Sequence, residues 1–383
     1  MVLPWSGEVV HQAPGPASLL RDLDAELRLH QFDADSTARF MGAADDTDLL
    51  SNSAMYALAA RDRTGEFTDT GAGALAELFL RNGEVSLGIY ERRLTYTIRS
   101  LLQTLDLVYE VGGSVRARAS ISPLGTSYYL SDRIFACLPE SDGYPVVVSR
   151  GAEGDFGPVM PPHASTLCLL EHTTARGGRL LDVGTGCGVL ALARARGYRS
   201  VRGIDIDPRA VAYAKANALL AGCEAAFDVS DFRACRQDFG PADHLLFNAP
   251  SRNDDSAVSQ GVSRLHTAGL IEELIEHLPR ALAAPGGLAE VLVIIPVPER
   301  AEGARDVVGQ WTGGHAPVVV DVREVEDPAL TITAEAIERL RIRPGCALAD
   351  SREERAALAR ALKSSRTRRV APAVLSIRAR PAA

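Results

Sequence analysis

The stretch Asp182-Val183-Gly184-Thr185-Gly186-Cys187-Gly188 sets three glycines at alternate positions behind an acid. Glycine admits backbone dihedrals closed to other residues and lets main chain approach a ligand closely. The spacing is G-x-G-x-G. The dinucleotide fingerprint G-x-G-x-x-G would need glycine where Val189 stands, which disfavours NAD and FAD. About 20 residues on comes Gly203-Ile204-Asp205-Ile206-Asp207-Pro208. Asp205 stands where a βαβ unit places a carboxylate against ribose hydroxyls. Asp207 reads instead as a helix N-cap, with Pro208 at the first helical position. His163, His244 and His266 are candidate general bases, because imidazole titrates near working pH. The alternative for each is a structural or capping histidine.

These residues need strand ends and turns to hold them, and the flanking sequence supplies the signals. Strands are expected over Arg179–Val183, Ser200–Asp205, Ala226–Val229, His244–Phe247 and Glu290–Ile295. Helices are expected between them over Gly188–Arg196, Pro208–Leu220 and Leu270–Leu282. Such alternation predicts an α/β fold, a doubly wound Rossmann-like sheet. Val318–Val322 and Ala373–Arg378 read as further strands, and Ala334–Leu340 and Glu353–Arg369 as helices. The last of these is rich in Arg. Cations are favoured at a helix C-terminus, or they form a clamp for an anion.

The loop, the spaced acid and Asp231 together resemble the class I S-adenosylmethionine-dependent methyltransferases over roughly residues 157–300. The resemblance implies a seven-stranded catalytic sheet and S-adenosyl-L-methionine as cofactor. It implies cofactor contacts from Asp182, Gly184, Thr185, Gly186 and Gly188, ribose contacts from Asp205 beside Ile206, and adenine contacts from Asp231 and Phe232. His244-Leu245-Leu246-Phe247-Asn248-Ala249-Pro250-Ser251 resembles the Asn-Pro-Pro-Tyr/Phe motif of the amino methyltransferases. That resemblance makes Asn248 and the carbonyl of Ala249 acceptors for the target nitrogen, with Pro250 stiffening the turn. The gain is orientation for an in-line displacement. Ala249 and Ser251 depart from the motif: the stacking aromatic is missing, which points toward a small-molecule acceptor. Ser251–Ser256 could line its entrance. The segment Gly157–Thr166, with His163, occupies the place of a loop crossing the cofactor in this family. No metal is expected.

Upstream, residues 1–50 read as a lead-in with one helix over Ala17–Leu29. Residues 53–130 carry helix signals around Leu75–Leu80 and Leu101–Leu107, then Val108–Val111, a Gly112-Gly113 turn and a returning strand Val115–Ala119. Further strands are expected at Tyr128–Leu130 and Val146–Val148. Helices followed by a two-stranded wing suggest a winged-helix-like domain over 1–150, before a catalytic domain over 151–383. The whole arrangement resembles actinobacterial methyltransferases with such a unit, in which a stretch like Tyr129-Leu130-Ser131-Asp132-Arg133 leads into the catalytic domain. Residues 1–130 hold 11 Arg against 17 Asp and Glu, which argues against nucleic-acid binding by that unit.

The chain has 383 residues, 46% apolar and 23% charged, with a net charge of −8. That fits a globular protein of two domains. The apolar run Leu292–Ile295 is far short of the roughly 20 residues of a membrane span. The start lacks a secretory signal, so a cytoplasmic monomer or homodimer is expected. The six cysteines are widely spaced without a C-x-x-C pair, which argues against zinc ribbons, and without an export signal no disulfide framework is expected. Three functions compete. The leading one is methylation of a small-molecule amine or hydroxyl, in specialised metabolism such as antibiotic biosynthesis. The alternatives are a protein (glutamine) or RNA N-methyltransferase, and S-adenosylmethionine chemistry without methyl transfer.

Overall fold

The structure, a computed structural model, describes residues 3–5, 15–67, 69–148, 157–233, 240–250, 263–283, 286–312, 318–335, 359–360 and 362–379. The chain divides into two compact units. One comprises Met1–His163, Gly186–Leu192 and Asp207–Glu224; the other comprises Ala164–Thr185, Ala193–Ile206 and Ala225–Ala383. The boundary expected at 150/151 falls outside the described residues.

In the first unit, α1 (Pro16–Leu29) buries Leu19, Leu20, Leu23 and Leu27, the i, i+3, i+4 face of an amphipathic helix. The lead-in is more helical than expected. Ala34–Met41 and Asp46–Ser51 are helices, each begun by an aspartate: Asp33 accepts from Ser36 N–H and Asp45 from Asp48 N–H, both at 2.8 Å. The acidic stretch Asp45-Asp46-Thr47-Asp48 is thus a helix start, because a carboxylate satisfies an otherwise orphaned N–H there. Next come α2 (Gly71–Phe79), β1 (Glu84–Ser86), α3 (Leu87–Arg93), α4 (Tyr96–Thr104), β2 (Val108–Val111) and β3 (Ser114–Ala117). The three strands form a sheet of order β1-β3-β2. Gly112 and Gly113 both have positive φ (57° and 83°), as a two-residue hairpin turn requires. A second hairpin pairs β4 (Ser120–Leu124) with β5 (Ser127–Ser131).

The second unit opens with α5 (Ala164–His172) and is built on seven strands: β6 (Arg179–Val183), β7 (Ser200–Asp205), β8 (Ala226–Val229), β9 (His244–Asn248), β10 (Leu288–Pro298), β11 (Val318–Glu324) and β12 (Thr367–Ala379). Along the chain, α6 (Val189–Arg194) links β6 to β7, α7 (Pro208–Leu220) links β7 to β8, α8 (Ser263–Ala281) precedes β10, and α9 (Ala304–Thr312) follows it. The spatial order is β8-β7-β6-β9-β10-β12-β11. Six strands run in one direction; β12 runs antiparallel between β10 and β11. This is the methyltransferase-like α/β fold.

Alternation along the strands puts Leu181, Val183, Leu245, Phe247, Val291 and Val293 into one core with Ile271, Leu274 and Leu278 of α8 and Val307 and Val308 of α9. Several elements are longer or shorter than expected. The strand expected over Glu290–Ile295 runs Leu288–Pro298, since β12 pairs with its whole length. The helix expected over Leu270–Leu282 is Ser263–Ala281, and that over Gly188–Arg196 is Val189–Arg194 followed by a 3-10 turn. The basic helix expected to reach Arg369 ends before Thr367, where β12 begins. Arg369 pairs with Glu324, and Arg368 donates to the carbonyl of Glu302 at 2.8 Å. These two arginines tie strand to neighbours; residues 351–358 lie outside the described ones. Among the described residues no helix is long and apolar enough to cross a membrane.

Candidate functional site

Strand order reverses between β6 and β9, and α/β sheets bind ligands beyond the carboxyl ends of the strands at such a switch point. The register fixes what lies there. Val183 faces Phe247 on one side and Ile204 on the other, and Val229 faces Asp205. The carboxyl edge therefore presents the Asp231 segment, Asp205, Gly184 and Asn248, in that spatial order. Residues far apart in the chain thus line one edge.

At the end of β6, Asp182 is fully buried and its Oδ2 accepts from the Thr185 hydroxyl at 2.7 Å. Thr185 N–H donates to the carbonyl of Ile204 at 3.0 Å, tying the turn to β7. Gly184, Gly186 and Gly188 all have positive φ (62°, 55° and 87°), the left-handed region that favours glycine. Their surroundings differ. A Cβ on Gly184 would meet the Phe247 ring at 3.3 Å, and one on Gly188 would meet Ala214 at 3.1 Å. A Cβ on Gly186 would project into open space. The middle glycine thus borders room for a ligand, the condition an S-adenosylmethionine cradle must meet. Gly203 was not anticipated: a Cβ there would lie 2.6 Å from both Phe227 and Thr185 Oγ1, so the strand needs glycine to let the turn pack.

Asp205 is half-buried at the end of β7, and its carbonyl accepts from Ser230 N–H at 2.8 Å. Ile206 beside it is 46% exposed, an apolar side chain open to cover a planar ring. Phe232 packs against Phe247 and His277, with centroids 6.1 and 6.2 Å apart. Asp231 is forked by Arg233, Oδ2 to Nη2 at 2.6 Å, and this guanidinium holds its carboxyl below the usual range. An adenine amino group would share that carboxylate with Arg233.

Asn248 is half-buried at the end of β9. Its Nδ2 donates to Ser165 Oγ at 2.9 Å and to Thr166 Oγ1 at 3.3 Å, both in the first turn of α5. Both amide N–H bonds are thereby engaged, and among the described residues nothing donates to Oδ1. Ser165 and Thr166 belong to the segment expected to cross the cofactor, but their bonds to Asn248 were not anticipated. Ala249 N–H donates to the carbonyl of Leu292 at 3.0 Å, which anchors the turn before the exposed Pro250. Ser251 lies outside the described residues.

The histidines divide sharply. His163 Nδ1–H donates to the carbonyl of Pro161 at 2.9 Å, and burial pushes its pKa below the usual value. His244 starts β9, at the amino edge. It is fully buried, with Nε2 2.9 Å from Glu290 and Nδ1 bonded to the Tyr198 hydroxyl. It is structural, and the base role considered for it does not hold. The His266 side chain lies outside the described residues. A cavity of about 160 Å³, lined in part by Arg179, Ser200, Arg202 and Gly240, also opens at the amino edge, away from these groups.

The ribosomal protein L11 methyltransferase (PrmA) family matches residues 162–248. The ribosomal protein L11 methyltransferase of Pelotomaculum thermopropionicum is 36% identical over 156 residues, 36% of this chain and 50% of that one. A putative protein N5-glutamine methyltransferase of Methanocaldococcus jannaschii is 29% identical over 140 residues, 34% of this chain and 70% of that one. The chain spans half or less of the length of the L11 methyltransferases that it matches. A methyltransferase structure from Geobacter sulfurreducens with bound S-adenosyl-L-homocysteine aligns at 20% identity and TM-score 0.36, over 56% of this chain and 90% of that one. Residues 162–248, which hold the glycine turn, Asp205 and the Asn248 strand end, are thus the part of the chain that is similar to the ribosomal protein L11 methyltransferase (PrmA) family.

Proposed function

We propose that this chain methylates a nitrogen, an amine or a side-chain amide, of a protein. The observation that carries the nitrogen assignment is the locked amide of Asn248. With both N–H bonds engaged by Ser165 and Thr166, the group can offer only its carbonyl oxygen. A carbonyl oxygen accepts the N–H of an acceptor nitrogen and aims the lone pair. S-adenosylmethionine supplies an electrophilic methyl carbon on its sulfonium. In this reading Asp205 accepts its ribose hydroxyls, Ile206 and Phe232 cover its adenine, and the space beside Gly186 takes its methionyl part. Ala249 offers the second acceptor carbonyl, and His163, kept neutral by burial, is the general base.

What supports a protein acceptor is the specificity named for the relatives, ribosomal protein L11 and protein glutamine. The small-molecule expectation rested on Ser251, which lies outside the described residues, on the acidity of the N-terminal unit and on the overall composition. The N-terminal region, residues 1–150, is proposed as a winged-helix-like domain before a catalytic domain of 151–383. The order helix–strand–helix–helix–strand–strand from α2 to β3 supports this. Its acidity suits a role in docking the substrate or a second subunit, rather than nucleic acid.

The test is transfer of label from methyl-labelled S-adenosylmethionine into a bacterial extract separated into protein and low-mass fractions. Label in protein, lost with Asn248→Ala, is the expected result. Label confined to the low-mass fraction would return the acceptor to a small amine. No label in either fraction with the wild-type chain would end the transfer reading.

A further inference from the structure

Helix α7 carries Arg209, Tyr213 and Asn217 four residues apart, hence along one face. All three reach for the stretch that follows the β4–β5 hairpin, or ends it. Arg209 Nη2 lies 2.6 Å from both carboxylate oxygens of Asp132, and the Tyr213 hydroxyl donates to Asp132 Oδ1 at 2.9 Å. Asn217 is fully buried. Its Oδ1 accepts from Leu130 N–H at 2.8 Å, and its Nδ2 donates to Leu130 O at 2.9 Å and to Cys187 O at 2.8 Å.

The first two bonds imitate a neighbouring strand, pairing both main-chain groups of one residue. The third grips the residue between Gly186 and Gly188. Cys187 is held again by its thiol, which donates to Met160 O at 3.1 Å. Gly188 packs against Ala214, one turn earlier on α7, so closely that a Cβ would stand 3.1 Å away. That approach brings Asn217 within reach of Cys187. A buried asparagine inside a helix is a poor helix former, and its removal leaves polar groups unpaired. Its three bonds account for its presence there.

We propose that Asn217 is a positioning residue for the cofactor turn, fastening Cys187 to the Leu130 strand so that Gly186 and Gly188 keep the backbone the cofactor needs. The inference rests on the methyltransferase reading and extends it: cofactor affinity depends on a strand far upstream of the turn, Leu130 standing 87 residues before Asn217. Arg209 and Tyr213 hydrogen-bond Asp132 and so hold the same strand.

The test is titration calorimetry of the full-length chain with S-adenosylhomocysteine, beside thermal melts. Asn217→Asp keeps the shape and the acceptor to Leu130 N–H but turns an oxygen toward two carbonyls. Asn217→Ser is smaller and can reach only one of the partners. Each should weaken binding by about 10-fold, the loss expected for roughly one hydrogen bond. Tyr213→Phe removes one bond from the same helix face; it should lower the melting temperature and leave affinity unchanged. Unchanged affinity in the folded Asn217 variants overturns the proposal. An equal affinity loss in Tyr213→Phe also overturns it, by showing general loosening. Absence of binding by the wild-type chain would instead overturn the methyltransferase reading beneath it.

Discussion

Strand β9 has a polar residue at each end, and the two ends behave oppositely. At the amino end His244 is fully buried, with both ring nitrogens bonded, to Tyr198 and Glu290. At the carboxyl end Asn248 has its donors bonded inward to α5 and its acceptor left for something else. The residues lie four apart on the same face of one strand. What separates them is the edge of the sheet. Beyond the carboxyl ends, parallel strands hand over to diverging loops and open a crevice. At the amino end of β9 His244 is fully buried, and a buried polar group must find partners within the protein.

The comparison is broken or sharpened by five measurements. His244→Ala should cost about 3 kcal/mol of stability, because it opens a cavity and removes the partner of Glu290. Chemical denaturation reads this, and turnover per folded molecule should stay as in the wild type. A loss of turnover without a loss of stability would make the amino end part of the site. Asn248→Ala should do the reverse, cutting kcat by on the order of 10²-fold, as misplacement at a reacting centre can. Its affinity for S-adenosylhomocysteine and its stability should barely move. Asp205→Ala should weaken cofactor binding by about 2 kcal/mol, roughly 30-fold, through lost charge-assisted hydrogen bonds. Calorimetry would show it, and an unchanged Kd would remove Asp205 from the site.

Ser165→Ala combined with Thr166→Val frees the Asn248 amide to rotate. Turnover should fall by about 10-fold with the cofactor Kd unchanged, since only the orientation of the acceptor is lost. Steady-state kinetics at saturating cofactor would reveal this, and wild-type turnover would show that the hydroxyls do not orient Asn248. The smallest effect concerns pH. Burial depresses the His163 pKa below its ordinary value of 6.5 in the folded chain. The unfolded chain therefore binds a proton first as pH falls through 6.5, and stability drops from there down to the folded pKa. His163→Asn should flatten the stability–pH slope in that window while leaving the region above pH 7 unaltered. An unchanged slope would show that His163 is hydrated in the folded state.

Much of the site was legible in sequence because its signals are local. Glycine at Gly184, Gly186 and Gly188 stands where the turn takes positive φ. Asp207 accepts from Arg209 N–H at 2.7 Å as an N-cap ahead of Pro208. The alternation of strands and helices between Arg179 and Asn248 follows from hydrophobic period and turn residues. None of this needs knowledge of distant partners. The identity of the fold as parallel and doubly wound follows from the same order of elements.

Tertiary structure alone decided the rest. Asn248 and Ser165 are 83 residues apart, and nothing in either segment announces the other. The C-terminal strand β12 could have joined either edge of the sheet, yet it inserts antiparallel between β10 and β11. Its period gives a strand; its neighbours are set by which apolar faces remain to be covered. The same placement made Arg368 and Arg369 strand residues where a basic helix was expected. Likewise His244 and Asn248 are both polar residues in one short strand, and only the assembled sheet distinguishes core from crevice. Local dihedral preferences act over a few residues and are written in sequence. Pairing, register and burial depend on segments that the chain brings together only on folding.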